Sequence, residues 1–468
     1  MRLFPRLLAA VLALTAPVLT GQTTSHTLQI APAKSITLTL PATLDVHIAA
    51  RGFHRPRFFA QAPDGRIFVT TMYNLADNTR GAIYILDGYD AATHTFTRVT
   101  PYLTGLRNPN NLAFYTDPAT KQSWVYIPLT DKLVRYRYKA GDNRPTTAPE
   151  VLARYPDYGL NYKYGGWHLT RTVDVATLHG KTRVYVAVGS SCNYCRENEA
   201  ARAAITSMNP DGSDQRIVAH GMRNAVDLRF VPELDGGALV ATNMGDDHLG
   251  KQEPDDPFFE LDSNQHPGPI VQQPAPHYGW PTCYFAQGKP VHDDTPLPAM
   301  ANDGDARVAE HPVAKDSVYG KQGANIHAAG TNLAAQQHAA VGQDLGPAPE
   351  PLHSCEHVPA AYAWFAPHAA PLGLAYFGDA SQTLHDSFLV ALHGSGDVTI
   401  GAGYSVVSFT PKDRKPHDFI TGFLTRPTKA NPHFHVNGRP CGLLRLGPDT
   451  FLLTDDWNGL VYIVEPKQ

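Results

Sequence analysis

HGMRNAVDLRFVPELDGGALVATNMGDDHLG, residues 220–250, is the stretch on which the reading of this chain turns. Its middle, VDLRFVP and ALVATNM, reads as two apolar-alternating strands joined by a Gly-Gly turn. Its ends are polar: Arg223-Asn224 stands before the first strand, and Asn243-Met244-Gly245-Asp246-Asp247-His248 follows the second. Sheet proteins place binding and catalytic groups where strands meet loops. The opening is also a repeat. GMRNAVDLRF at 221–230 echoes GLRNPNNLAF at 105–114, with Gly, Arg, Asn, Leu and Phe in register 116 residues apart.

Working outward, the same strand–turn–strand design recurs at 57–74 with 81–88, 110–139, 168–191, 371–395 and 441–466. Inner strands start near 57, 111, 168, 226, 372 and 441, and the first three intervals are about 54 to 58 residues. A period of that size built from strands points to an all-β, six-bladed β-propeller rather than an α-solenoid. The last unit ends too early for four strands. Residues 35–49, SITLTLPATLDVHIA, alternate like strands and are expected to complete it, closing the ring and removing an exposed edge. Between 226 and 372 the interval is too long for one blade. Residues 285–355 are therefore read as an irregular insertion between blades 4 and 5, a lid or rim, within a propeller spanning 35–468.

Composition agrees. Charged residues are only 18% of 468, while Gly (38), Pro (39), Tyr (21) and Phe (19) are frequent, as in turn-rich aromatic sheets. A formal net charge of −4 argues against a nucleic-acid partner. The first 21 residues begin with arginines at 2 and 6, followed by an apolar run from Leu7 to Leu19. They read as a signal peptide, too short to span a bilayer, so the mature chain is expected in a periplasm or outside the cell. No later stretch reads as a membrane span.

An oxidising compartment lets cysteines pair. Cys192-x-x-Cys195 is not a c-type haem site, because Arg196 stands where His is required. A zinc pair has no second CxxC to complete it, and a local disulfide is favoured. Cys283 with Cys355 would staple the insertion, leaving Cys441 free in a strand.

Candidate chemistry clusters at strand ends. His168, at the start of the third inner strand, suits a general base near neutral pH, or a buried structural His. Arg223 and Asn224 suit a carboxylate or a developing oxyanion, although the Arg107-Asn108 echo also fits simple turn chemistry. Asn243 to Asp247 offers carbonyl and carboxylate oxygens to a hard cation without an EF-hand pattern. His433 and His435 are read as surface or packing residues. There is no GxSxG elbow, and Gly394-Ser395-Gly396 lacks the setting of a dinucleotide fingerprint.

GGWHLTRT, GSSCNYC, GMRNAVDLRF, NMGDDHLG, YGWPTCY, PHAAPLGLAY, ALHGS with GYSVVSF, and GRPCGLL with LLTDDWNGLVYIV occur in this order. Together they resemble the pyrroloquinoline quinone (PQQ)-dependent glucose/sorbosone dehydrogenase family over about 51–466, the insertion excepted. Soluble glucose, aldose sugar and sorbosone dehydrogenases belong there. The resemblance implies a quinoprotein oxidising a sugar, sugar aldehyde or polyol by hydride transfer to PQQ held with Ca²⁺. Electrons would pass to a periplasmic acceptor such as a cytochrome c or a quinone. It implies His168 as catalytic base and Arg223 and Asn224 as cofactor contacts, with Arg223 also stabilising charge on the reduced quinone. Met244 and Gly245 would be calcium ligands through backbone carbonyls, and Asp246 or Asp247 would touch substrate. Arg439 would pair with a cofactor carboxylate. Two departures stand out. Ser190 replaces the Asp that orients the histidine in the sugar dehydrogenases, as in the sorbosone-type subgroup. HGSGDV at 393–398 lacks the basic residue that relatives carry, with His393 a partial substitute. The alternative is a degenerate propeller serving as a carbohydrate-binding or interaction module.

Overall fold

A computed structural model describes residues 22–156, 168–298 and 345–467. The expected signal peptide and the middle of the expected insertion lie outside the described residues. Six four-stranded antiparallel sheets follow one another along the chain. Their inner strands are Pro56–Gln61, Ala113–Thr116, Arg171–Leu178, Ala225–Val231, Pro371–Phe377 and Pro440–Arg445, close to the starts read from the repeats. The fold is a six-bladed β-propeller.

Ring closure is as expected in kind and shifted in detail. Leu44–Arg51 pairs with Leu460–Pro466 as the fourth strand of the last blade, so the two ends of the chain share one sheet. Lys34–Pro41 does not join it. That strand pairs instead with Thr23–Ala31 in a separate hairpin, which buries Ile36, Leu38 and Leu40 against the fifth and sixth blades. The insertion is also displaced from its expected place. The fourth strand of blade 4 is Ala363–Phe365, pairing with Asp256–Ser263, so the extra residues lie inside blade 4 and not between blades 4 and 5. A three-residue strand after a long excursion carries too little pattern to be seen in sequence. The described part of the insertion contains a hairpin, Cys283–Ala286 with Lys289–His292, and the Cys283–Cys355 disulfide staples it.

Threonines stitch the blades together. The inner strands of blades 1, 4 and 6 each carry a β-bulge, which removes one N–H from the ladder. Thr70, Thr242 and Thr454 on the neighbouring strands accept those N–H groups, from Phe58, Asp227 and Gly442 at 3.1, 3.1 and 2.6 Å. Each hydroxyl then donates to the next blade: Thr70 to the Asn110 carbonyl just before the inner strand, and Thr242 to Leu372 and Thr454 to Arg57 on it. Blade 5 has the bulge but Ala391 at the matching place, and there the Leu374 N–H is taken by the Asp227 carboxylate at 2.9 Å. Leaving any of these buried donors unpaired would cost about 1–3 kcal/mol.

The axis itself is plugged. Phe58, Val226, Leu372 and Cys441, contributed by four inner strands, pack into one apolar cluster. Blades 1 and 4 oppose each other in a six-membered ring, so Phe58 and Val226 meet across the centre. The Asn110 side chain spans the same space, donating to Thr172 Oγ and to the Val226 carbonyl. Burial pushes the Cys441 thiol up to about 12, which leaves it an inert apolar filler. The channel is therefore a cup with a closed floor.

Candidate active site at the channel mouth

Strands one and two of each blade are antiparallel. The loop leading into the first and the loop leaving the second thus lie at the same end of the ring. All the residues singled out from sequence occupy these loops. His168 precedes Arg171–Leu178, Ser190 follows Lys181–Val188, Arg223 and Asn224 precede Ala225–Val231, and Met244 to Asp247 follow Ala238–Asn243. His393 and Arg439 hold the matching places in blades 5 and 6.

The structure brings the blade 3 and blade 4 residues together. A Cβ on Gly189 would lie 2.6 Å from the His168 Cβ and 2.7 Å from the Asn224 Oδ1, so only glycine lets these three loops approach so closely. His168 Nδ1 lies 2.9 Å from Ser190 Oγ and 3.1 Å from the Ser190 carbonyl. The Ser190 hydroxyl donates its one proton to the Cys192 carbonyl at 2.6 Å. Both partners of Nδ1 are consequently acceptors, which puts the proton on Nδ1 and the lone pair on Nε2. Burial, and then the charge of Arg223, hold the imidazole pKa well below its ordinary value. The ring is neutral at neutral pH, as a base must be.

Arg223 is an organiser. Its Nε donates to the Asn193 carbonyl at 2.9 Å and its guanidinium NH2 to Asn193 Oδ1 at 2.6 Å; its NH1 donates to the Gly245 carbonyl at 2.6 Å. The Asp247 carboxylate lies 3.7 Å away. Asn193 sits inside the Cys192–Cys195 disulfide loop and also receives the Asp247 N–H and the Trp280 indole N–H. Sequence reading missed Asn193; the signal was its place between two paired cysteines. Asn224 donates from its side chain to the Met244 sulfur at 3.4 Å, while its Oδ1 is buried without a hydrogen-bond partner among the described residues.

Asp246 and Asp247 part company. Asp246 is buried against His248 at 2.6 Å, while the Asp247 side chain is 55% exposed at the mouth. Burial would raise the Asp247 carboxyl, but the hydrogen bond from His368 and the charge of Arg223 outweigh it and hold it below its ordinary value. His368, also missed, donates from Nδ1 to Asp247 at 2.9 Å. It and Ala370 have positive φ, 62° and 55°, and Asp256 holds that turn by accepting the Ala370 N–H at 2.8 Å and the Gly245 N–H at 2.7 Å. Burial drives the Asp256 carboxyl up to about 7.

A second cluster joins blades 5, 6 and 1. Arg439, expected to face a cofactor carboxylate, is 4% exposed. It donates instead to the carbonyls of His393, Gly394 and Ser395 and to the Tyr404 hydroxyl. The loop after the second strand of blade 5 turns its carbonyls inward, and a forked guanidinium satisfies several of them at once. His393 donates to Asp456 at 2.8 Å, and burial lowers its pKa to about 4. Arg55 and Arg57 reach the same carboxylate at 3.4 and 3.3 Å. They add two cations to this cluster, Arg57 buried and also bonded through Nε to Asn110 Oδ1 at 3.1 Å. Arg55-Pro56 repeats the letters of Arg439-Pro440 at the same blade position, a signal present in the sequence.

For a hard cation, the mouth offers the Asp247 carboxylate, which His368 also holds, and Asn224 Oδ1. The Gly245 carbonyl, expected as a ligand, is instead engaged by Arg223. The orphaned Asn224 oxygen beside His168 is the feature that best fits a polar guest.

No protein-family model matches the chain, and no curated protein matches it significantly in sequence. Solved structures do match. The PQQ domain of pyranose dehydrogenase from Coprinopsis cinerea, in its holo form, aligns with TM-score 0.58 at 16% identity, covering 92% of this chain and 97% of that one. A calcium structure of a carbohydrate-active enzyme from Trichoderma reesei aligns with TM-score 0.56 at 14% identity, covering 92% and 96%. The soluble aldose sugar dehydrogenase of Escherichia coli aligns with TM-score 0.52 at 11% identity, covering 91% and 100%. The chain shares their six-bladed fold.

Proposed function

We infer that this chain is an exported quinoprotein dehydrogenase that oxidises a sugar, sugar aldehyde or polyol at the channel mouth. The observation that carries the reading is His168: a neutral imidazole with its proton held on Nδ1, beside a buried acceptor with no partner and an exposed carboxylate. Structures named for a PQQ domain and for an aldose sugar dehydrogenase share the fold, which supports the reading. Asn224, Arg223 and the partly exposed Arg55 would hold PQQ, and the Met244 carbonyl would be among the ligands of Ca²⁺. Bound there, the quinone would accept a hydride and calcium would polarise its carbonyl.

The chain's own residues do the rest. Nε2 of His168 takes the proton of the substrate hydroxyl. Ser190 keeps the ring oriented and in the right tautomer but adds no negative charge, so the imidazolium formed in turnover is less favoured than beside a carboxylate. Asp247, steadied by His368, accepts a hydrogen bond from a neighbouring substrate hydroxyl. The closed floor of the cup excludes bulk water from below. A periplasmic cytochrome c or quinone would take the electrons away.

The test is reconstitution of the purified chain with PQQ and CaCl₂, followed by dye-linked oxidation of aldoses and sugar aldehydes. Turnover that requires both additions is the expected result. A second reading, a sugar-binding module without turnover, is favoured by the engagement of Arg439 and of the Gly245 carbonyl within the protein. Calorimetry showing sugar binding but no quinone binding would select it.

A further inference from the structure

The loop leaving the second strand of blade 3 holds a buried carboxylate that no step of the proposed turnover uses. Glu197 stands just beyond the Cys192–Cys195 disulfide loop, with its side chain turned back onto Ser191. One of its carboxylate oxygens accepts the Ser191 backbone N–H at 2.5 Å, and the other accepts the Ser191 hydroxyl at 2.7 Å. An ionised carboxylate only accepts, which matches two donors on its two oxygens. Burial raises its pKa, while the charge of Arg202 and both bonds from Ser191 favour the ion. Arg202 is buried as well, so the charge has a partner where solvent is excluded.

The Ser191 N–H belongs to the same peptide group as the Ser190 carbonyl. That carbonyl lies 3.1 Å from His168 Nδ1 and shares its proton with the Ser190 hydroxyl oxygen. The peptide is trans, so its C=O and N–H point in opposite directions within one plane. The His168 Nδ1–H, the 190–191 peptide and the Glu197 carboxylate therefore form one chain of hydrogen bonds. A negative charge at the N–H end polarises the amide, and the bond that its oxygen accepts is strengthened in turn. The peptide itself is fixed, because the Ser190 N–H donates to the Arg223 carbonyl at 2.7 Å and the Ser190 hydroxyl to the Cys192 carbonyl at 2.6 Å.

We propose that Glu197 is a positioning residue for His168, acting through the 190–191 peptide and supplying at one amide's remove the negative charge that Ser190 lacks. The inference rests on the reading of His168 as the base. When Nε2 takes a proton from substrate, positive charge spreads over the ring to Nδ1–H, and a polarised carbonyl there stabilises it better than a plain amide. Cooperative strengthening amounts to about 10–30% per bond, so the expected effect is moderate. Glu197→Gln keeps an acceptor for the Ser191 N–H and removes the charge.

Two readouts test this. The first uses the purified chain without quinone, labelled with ¹⁵N-histidine. The His168 Nδ1 proton, assigned by its disappearance in His168→Gln, should resonate downfield and move upfield in Glu197→Gln. It should stay in place in Glu199→Gln, which removes the same charge two residues on. An unmoved proton in Glu197→Gln overturns the proposal, whether or not the quinone-loaded chain turns over. The second readout is dye-linked oxidation after reconstitution. Glu197→Gln should lower kcat about tenfold with KM unchanged, the low end of what losing an outer partner of a working histidine costs. In a His168→Gln background it should cost nothing further. A raised KM at wild-type kcat, or the same loss with and without His168, marks a merely structural role and overturns the proposal. Should Glu197→Gln fail to fold, Glu197→Gln/Arg202→Met, which removes both charges of the buried pair, is read in the same two ways. Absence of turnover in the wild type counts against the dehydrogenase reading, and the proton shift then decides the relay alone.

Discussion

Gly105–Phe114 and Gly221–Phe230 share Gly, Arg, Asn, Leu and Phe at the same blade position and do different things. In blade 2, Arg107 closes on Asp77 through two bonds of 3.0 and 2.7 Å. Asn108 accepts the Asn78 N–H and donates to the Ala76 carbonyl. These contacts tie the pair to the preceding loop of blade 1, as turn chemistry does. In blade 4, Arg223 reaches back into the disulfide loop of blade 3 and forward to Gly245, and Asn224 leaves a buried oxygen without a partner. An Arg-Asn pair at a blade start is thus a neutral device. What surrounds it decides whether it locks a loop or frames a cup: an Asp within reach at 77, a histidine and a cysteine loop at 168–195.

That contrast can be broken at several strengths. Removing the proposed base, His168→Ala, is expected to lower kcat of the reconstituted protein by roughly two to four orders of magnitude; near wild-type dye reduction would end the assignment. Arg223→Ala releases the Asn193 and Gly245 carbonyls together and should cost roughly 10²–10³ in kcat/KM, read in the same assay. Ser190→Asp sharpens the picture by pH. The imidazole now titrates well below its usual value, so the base stays deprotonated on mild acidification. A carboxylate at 190 favours the imidazolium, raises that pKa, and should move the acidic limb of kcat up by about one unit. An unmoved limb would show that residue 190 does not govern the base. The smallest effect on turnover belongs to Arg107→Ala, expected within about twofold of wild type, while stability falls by about 3 kcal/mol in urea because the nearly buried Asp77 carboxylate loses its two bonds from Arg107. Equal loss of turnover in Arg107→Ala and Arg223→Ala would erase the distinction between the two blades.

Much of the architecture was legible beforehand. The strand–turn–strand period marked the six inner strands to within a few residues, because alternation and turn chemistry are local properties. The two disulfides and the free Cys441 followed from cysteine spacing and an expected oxidising compartment. Residues that depend on a partner distant in sequence were not legible. His368 matters through Asp247, Arg55 and Arg57 through Asp456, and Asn193 through Arg223, and none of these pairings has a fixed spacing. The placement of the insertion inside blade 4 hung on a three-residue strand, too short to show a period.

By itself, then, the sequence determined the repeat, the strands and the set of polar loops at one end of the ring, since these depend on side-chain order along a few residues. Only the tertiary structure decided which of two identical Arg-Asn pairs faces a cup, which histidine nitrogen carries the lone pair, and that Arg439 serves its own loop. Those outcomes are set by distances between blades. A difference of an ångström or two decides whether a guanidinium satisfies a neighbouring carbonyl or is left for a ligand.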